Sequence, residues 1–135
     1  MSVIAKLGAA VTDVPADVVC ASAFLTAINR YMTFEVPCGT DYVVPAGKTL
    51  RITLVQFDYS GAWAKVRFGY GDDAVAEGAA APSNPIFLTH GLMSLGTTAR
   101  SEAKCSYDVP AGKYPFLYAT EVAGAGTMTI MGYLY

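Results

Sequence analysis

A chain of 135 residues and 14.2 kDa makes one ordinary domain, and at that size a monomer exposes about 6,800 Å² and buries about two-thirds of its extended-chain surface, so a core forms without metal or disulfide. Nine Lys and Arg against eleven Asp and Glu leave no basic field, which argues against nucleic acid and anionic lipid as partners. Charged residues are 15 % and apolar ones 53 %; so small an interior does not hold that much apolar side chain, and part of it is expected to lie against another chain.

In chain order, residues 1–18 read as an extended arm whose apolar content implies docking, on a neighbouring subunit for instance. The start lacks the charged segment, apolar core and cleavage site of a signal peptide, and no run reaches the length of a membrane helix. Synthesis in a cytoplasm, without export by a cleaved signal, is expected. Period-2 alternation then dominates. Over 30–36, Met32, Phe34 and Val36 oppose Tyr31, Thr33 and Glu35. Over 49–59, Leu50, Ile52 and Leu54 share one face, with Arg51 and Thr53 on the other, where Val55 and Phe57 follow. Over 62–70, Val66, Phe68 and Tyr70 oppose Trp63, Lys65 and Arg67. Segments 86–89, 114–120 and 127–135 are further strands. Residues 20–29 and 92–103 also admit a helical reading, and 72–85, rich in Ala, Gly and Pro, reads as a surface loop. Pro and Gly pairs punctuate these runs, the pattern of an antiparallel sandwich or barrel.

One motif occurs twice. Tyr42-Val43-Val44-Pro45-Ala46-Gly47-Lys48 matches Tyr107-Asp108-Val109-Pro110-Ala111-Gly112-Lys113 at six of seven positions, 65 residues apart. Each copy predicts a strand that ends at Val, turns through Pro-Ala-Gly and leaves through Lys, an equivalent corner in each half of a two-part sandwich. It is no phosphate loop, because the spaced glycines and the following Ser or Thr are missing.

These corners, with the closing GAGTMTIMGYLY, resemble the jelly-roll modules of tailed-phage virions. The resemblance covers the C-terminal two-thirds of the chain. It implies an all-β, single jelly-roll-like antiparallel sandwich over 19–135 preceded by the arm. It also implies a capsid decoration or cement protein that trimerises and clamps capsomers, with the major capsid protein as partner and the virion surface as location. Similar corners occur in tumour-necrosis-factor-like trimers and carbohydrate-binding sandwiches, and the alternative reading is a sugar- or receptor-binding module.

No catalytic constellation stands out. His90 is the only histidine, no Ser sits in a nucleophile elbow, and the pair Asp72-Asp73 with Glu77 does not follow a calcium-loop pattern. Cys20, Cys38 and Cys105 are too few and too far apart for a zinc site; they read as reduced, with a Cys20–Cys38 bridge the alternative. No enzyme activity, metal or cofactor is expected. Trp63 beside Lys65 and Arg67, flanked by Tyr59 and Tyr70, suits a protein interface or a stacked sugar ring, unless the 72–85 loop covers it. In the last strand Met131, Tyr133 and Tyr135 share one face and Met128, Ile130 and Leu134 the other. Two apolar faces point to a strand that is central to a stacked core or packed between subunits.

Overall fold

The computed structural model describes residues 18–26, 30–36, 39–88, 93–94 and 99–135, with backbone alone at 59–65, 93–94, 99–101 and 120–125. The arm expected over 1–18 lies outside this description except for Val18, which opens the first strand. Nine strands follow: β1 Val18–Leu25, β2 Arg30–Thr33, β3 Glu35–Val36, β4 Thr40–Asp41, β5 Leu50–Gly71, β6 Ile86–Phe87, β7 Met93–Ser94, β8 Ala99–Val109 and β9 Tyr114–Leu134.

Every ladder is antiparallel. The two long strands, β5 and β9, pair from end to end and run through both layers, so each supplies two arms. Sheet 1 consists of β1, the second arm of β9, the first arm of β5, and β8, with β3 and β4 beyond β1. Sheet 2 consists of β2, the first arm of β9, the second arm of β5, and the short β6 and β7. In chain order, sheet 1 sets the first, last, third and sixth arms side by side, and sheet 2 the second, seventh, fourth and fifth. That is the strand order of a jelly roll, as the resemblance implied.

The core fills the space between the sheets. Val19, Ala21, Ala23 and Leu25 of β1 face Leu50, Ile52, Val55 and Phe57 of β5, Met128 and Ile130 of β9, and Val66, Phe68, Leu117 and Ala119 of sheet 2; all are buried. The segment 20–25 is therefore strand and not helix: small alanines alternate with larger residues, and their helix propensity is overridden by packing. Of 92–103, the described part likewise lies in β7 and β8.

Two departures from strict alternation have local causes. Between Ile52 and Leu54 the register against β9 shifts, because Thr53 is one residue in excess. The bulge flips the inward parity, so Leu50, Ile52, Val55 and Phe57 all enter the core, and Leu54 is turned outward rather than sharing the face of Ile52. The run 30–36 is not one strand either. It leaves sheet 2 at Phe34, whose N–H donates to the Pro115 carbonyl at 2.9 Å, and joins sheet 1 as β3.

The repeated motif forms two matching corners. Lys48 N–H donates to Pro45 C=O at 3.2 Å, and Lys113 N–H to Pro110 C=O at 3.3 Å. Gly47 and Gly112 sit third in their turns at φ 75° and 79°, which makes both turns type II. The corners also touch: Val44 N–H donates to Lys113 C=O, and Gly112 N–H to Val44 C=O, at 3.0 and 2.8 Å. The repeat offset relates Ser60 to Ala125, and those two residues are ladder partners. A pseudo-twofold axis therefore passes between β5 and β9 there and exchanges the two sheets.

Candidate interaction surfaces

The sandwich has two outer faces. On sheet 2, register places Tyr31, Thr33, Arg67, Phe87, Phe116 and Tyr118 outward. Tyr31 stacks on Tyr118 with centroids 4.2 Å apart, and Phe87 meets Phe116 edge-on at 5.5 Å. The Arg67 guanidinium lies 4.1 Å from the Phe87 ring centroid and 5.8 Å from that of Tyr118, a cation–π contact within the chain.

The loop 72–85 closes over part of this face. Thr33 N–H donates to Val75 C=O at 3.0 Å, and Val75 N–H donates back to Thr33 Oγ1 at 2.8 Å. Gly78 bridges Tyr31. Thr33, bonded to the loop, and Phe116, packed on the Tyr31 and Phe87 rings, have no exposed surface although both point away from the core. The loop's carboxylates anchor it. Asp72 accepts from Lys113 Nζ and from Asn84 Nδ2, Asp73 accepts from the Ser83 N–H and hydroxyl, and Glu77 accepts from the Thr26 N–H and hydroxyl. The Lys113 and Asn84 hydrogen bonds hold the Asp72 carboxyl below its ordinary range. Burial pushes Glu77 up, but the two Thr26 bonds leave it below its ordinary value. Among the described residues no group of three His, Cys, Asp or Glu is placed to hold a metal.

The outer face of sheet 1 is built differently. Register aligns Val18, Tyr133, Arg51 and Asp108 in one row and Cys20, Met131, Leu54 and Lys104 in the next; Ser22, Thr129, Gln56 and Glu102 make a third. Phe24 and Thr127 begin a fourth. No described loop crosses these rows. Of the six large apolar side chains that remain exposed among the described residues, four lie here: Val18, Phe24, Tyr133 and Tyr135.

One end of this face is held in place by charge. Arg51 Nε and Nη2 donate to the two Asp108 oxygens at 2.9 and 3.1 Å, and Tyr135 Oη donates to Asp108 Oδ2 at 3.0 Å. Arg51 also lies 5.0 Å from the Tyr135 ring centroid. Its hydrogen bonds hold the Asp108 carboxyl below its ordinary range. Side chains fixed in this way lose less freedom on binding than mobile ones. Beside β1, Cys20, Phe24, Met32, Glu35 and Val36 line a shallow groove of about 330 Å³.

Of the residues the sequence singled out, Met131, Tyr133 and Tyr135 thus share one outer face as expected. Tyr70 does not belong with Arg67. It has the parity of Val66 and Phe68 and packs against the core. Arg67 is half-buried on its own aromatic rings. The side chains of Tyr59, Trp63 and Lys65 lie outside the described residues, as do His90 and Cys38. Cys20 and Cys105 are free thiols, one exposed and one half-buried, and burial pushes the Cys105 thiol above its ordinary value. Reading the chain alone missed Val18, Phe24 and Arg51. Val18 and Phe24 are visible in hindsight as the even positions of the strand 18–25.

No protein-family model matches the chain, and a search of curated proteins finds no match.

Proposed function

We propose that this chain is a non-enzymatic structural module that works as a homo-oligomer, a trimer, with the outer face of sheet 1 buried against neighbouring copies. The observation that carries the reading is the clustering of exposed Val18, Phe24, Tyr133 and Tyr135 on a face that no described part of the chain covers. Size supports it. Eight residues of β1 across four strands give a face of about 27 by 19 Å, or on the order of 500 Å². Two such faces bury on the order of 1,000 Å², the lower bound for a stable contact.

The virion role follows from the corner motif and its resemblance to phage decoration modules. In that setting the module would sit on the capsid surface, with the major capsid protein as its second partner. The mechanism is passive: apolar surface is removed from water and the sandwich acts as a rigid clamp. The test is the mass of the purified protein by light scattering at micromolar concentration. A mass of three chains or a multiple of it is expected, and Tyr133→Asp is expected to lose the threefold association while staying folded. A wild-type monomer overturns the reading.

A further inference from the structure

Among the described residues most edges of the sandwich are short or covered, and β8 presents the longest one that is neither. β4 ends sheet 1 on one side with two residues, and β6 and β7 end sheet 2 with two residues each. The outer edge of β2 is closed by the 72–85 loop, through the Tyr31–Gly78 bridge and the Thr33–Val75 pair. Short strands and covering loops are the ordinary protection against edge-to-edge pairing. β8 has neither. It runs for eleven residues, and among the described residues it pairs with β5 alone. Its pseudo-twofold mate is β2, so the two halves of the molecule treat equivalent edges in opposite ways.

The charges on β8 select an occupant. Glu102 and Lys104 point outward and are exposed. Neither has a hydrogen bond or ion pair with another described residue. Alanine 103, between them, pairs with the buried Val55 and yet is exposed, so its inward side lies open beyond the core.

We propose that β8 pairs antiparallel with β8 of a second copy across a twofold axis at Ala103. In that register Glu102 of each copy faces Lys104 of the other, giving two opposite-charge cross-strand pairs, and Ala103 faces its own equivalent. Registers one or two residues toward the C-terminus set Lys104 against itself or Glu102 against Asp108, both repulsive. The register at Ser101 also matches charges, by setting Arg100 against Glu102, but leaves only residues 99–103 of β8 paired with each other, against 99–107 at Ala103. An edge charge that would repel a foreign strand thus becomes a self-recognition element. The contact is isologous, continues sheet 1 from one copy into the next, and uses the β8 edge at the end of the rows that hold Tyr133 and Met131.

A charge swap tests it. Sedimentation at low salt is run on the wild type, Glu102→Lys, Lys104→Glu and the double swap. Each single variant is expected to weaken the twofold association about tenfold, a fair return for turning two attractive pairs into repulsive ones. The double swap restores it. Ala103→Cys with diamide is expected to give a disulfide dimer on a non-reducing gel that Ser106→Cys and the wild type do not give. The Tyr133→Asp background keeps that dimer, which separates failure of this contact from failure of the sheet-1 interface. Singles that associate like the wild type, or Ala103→Cys that cross-links no more than Ser106→Cys, overturn the proposal.

Discussion

On sheet 2, Phe116 points away from the core and is wholly buried; on sheet 1, Tyr133 points away from the core and is 40 % exposed. Both lie on the same strand, β9, and both are aromatic. The difference is the segment 72–85. It lies along β2, held by the Thr33 N–H to Val75 C=O and Val75 N–H to Thr33 Oγ1 bonds, by the Tyr31–Gly78 pair, and by Asp72 on Lys113 and Glu77 on Thr26. Nothing described plays that part for sheet 1. An outward aromatic residue is therefore core in one half of the molecule and available surface in the other. What separates them is a loop with little hydrophobicity of its own.

The largest effect that would break this comparison is on stability. Phe116→Ala removes a fully buried side chain packed against Tyr31 and Phe87, at a cost of about 3–5 kcal/mol by denaturant unfolding. Tyr133→Ala, measured on the dissociated monomer, costs about 0.5 kcal/mol or less. Equal costs would mean that the two faces are not different in kind. A sharper probe of the loop is Thr33→Val, which leaves the half-buried Val75 N–H without its acceptor. About 1 kcal/mol is expected, with faster hydrogen exchange at Val75 and no change at β8 amides.

The smallest effect concerns pH. Asp72 titrates below its ordinary value in the folded state, so its tie to Lys113 stabilises fully above the unfolded carboxylate value near pH 3.9 and fades as pH falls through the lower folded value. The difference in Tm between wild type and Asp72→Asn should be constant from pH 7 to 5 and shrink below about pH 4. A difference that grows on acidification would contradict the assignment.

Much of this arrangement was legible in the residues. The two Pro-Ala-Gly-Lys corners were, because Gly at a positive φ and a closing Lys leave few turn types, and their 65-residue spacing foreshadows the pseudo-twofold. The two faces of the last strand were legible from Met128 and Ile130 against Met131 and Tyr133. The bulge at Thr53 was not, since no Gly or Pro marks it and the parity flip shows only once β9 is laid beside β5. The sheet change at Phe34 was hidden because alternation runs straight through it. The covering role of 72–85 was hidden for another reason: backbone groups hold it to β2 and carboxylates tie it to Lys113 and Thr26, and these leave no hydrophobic pattern. Arg67 looked like a free cation because Phe87 and Tyr118 come to it from distant strands.

The most direct measurement is hydroxyl-radical footprinting of the protein at two concentrations that span its association. Modification of Met131, Tyr133 and Tyr135 should fall as concentration rises, while Tyr31 and Tyr118, already stacked on one another, stay unchanged. Unchanged modification of Met131 and Tyr133 at the higher concentration would contradict the claim that the outer face of sheet 1 is where copies of this chain meet.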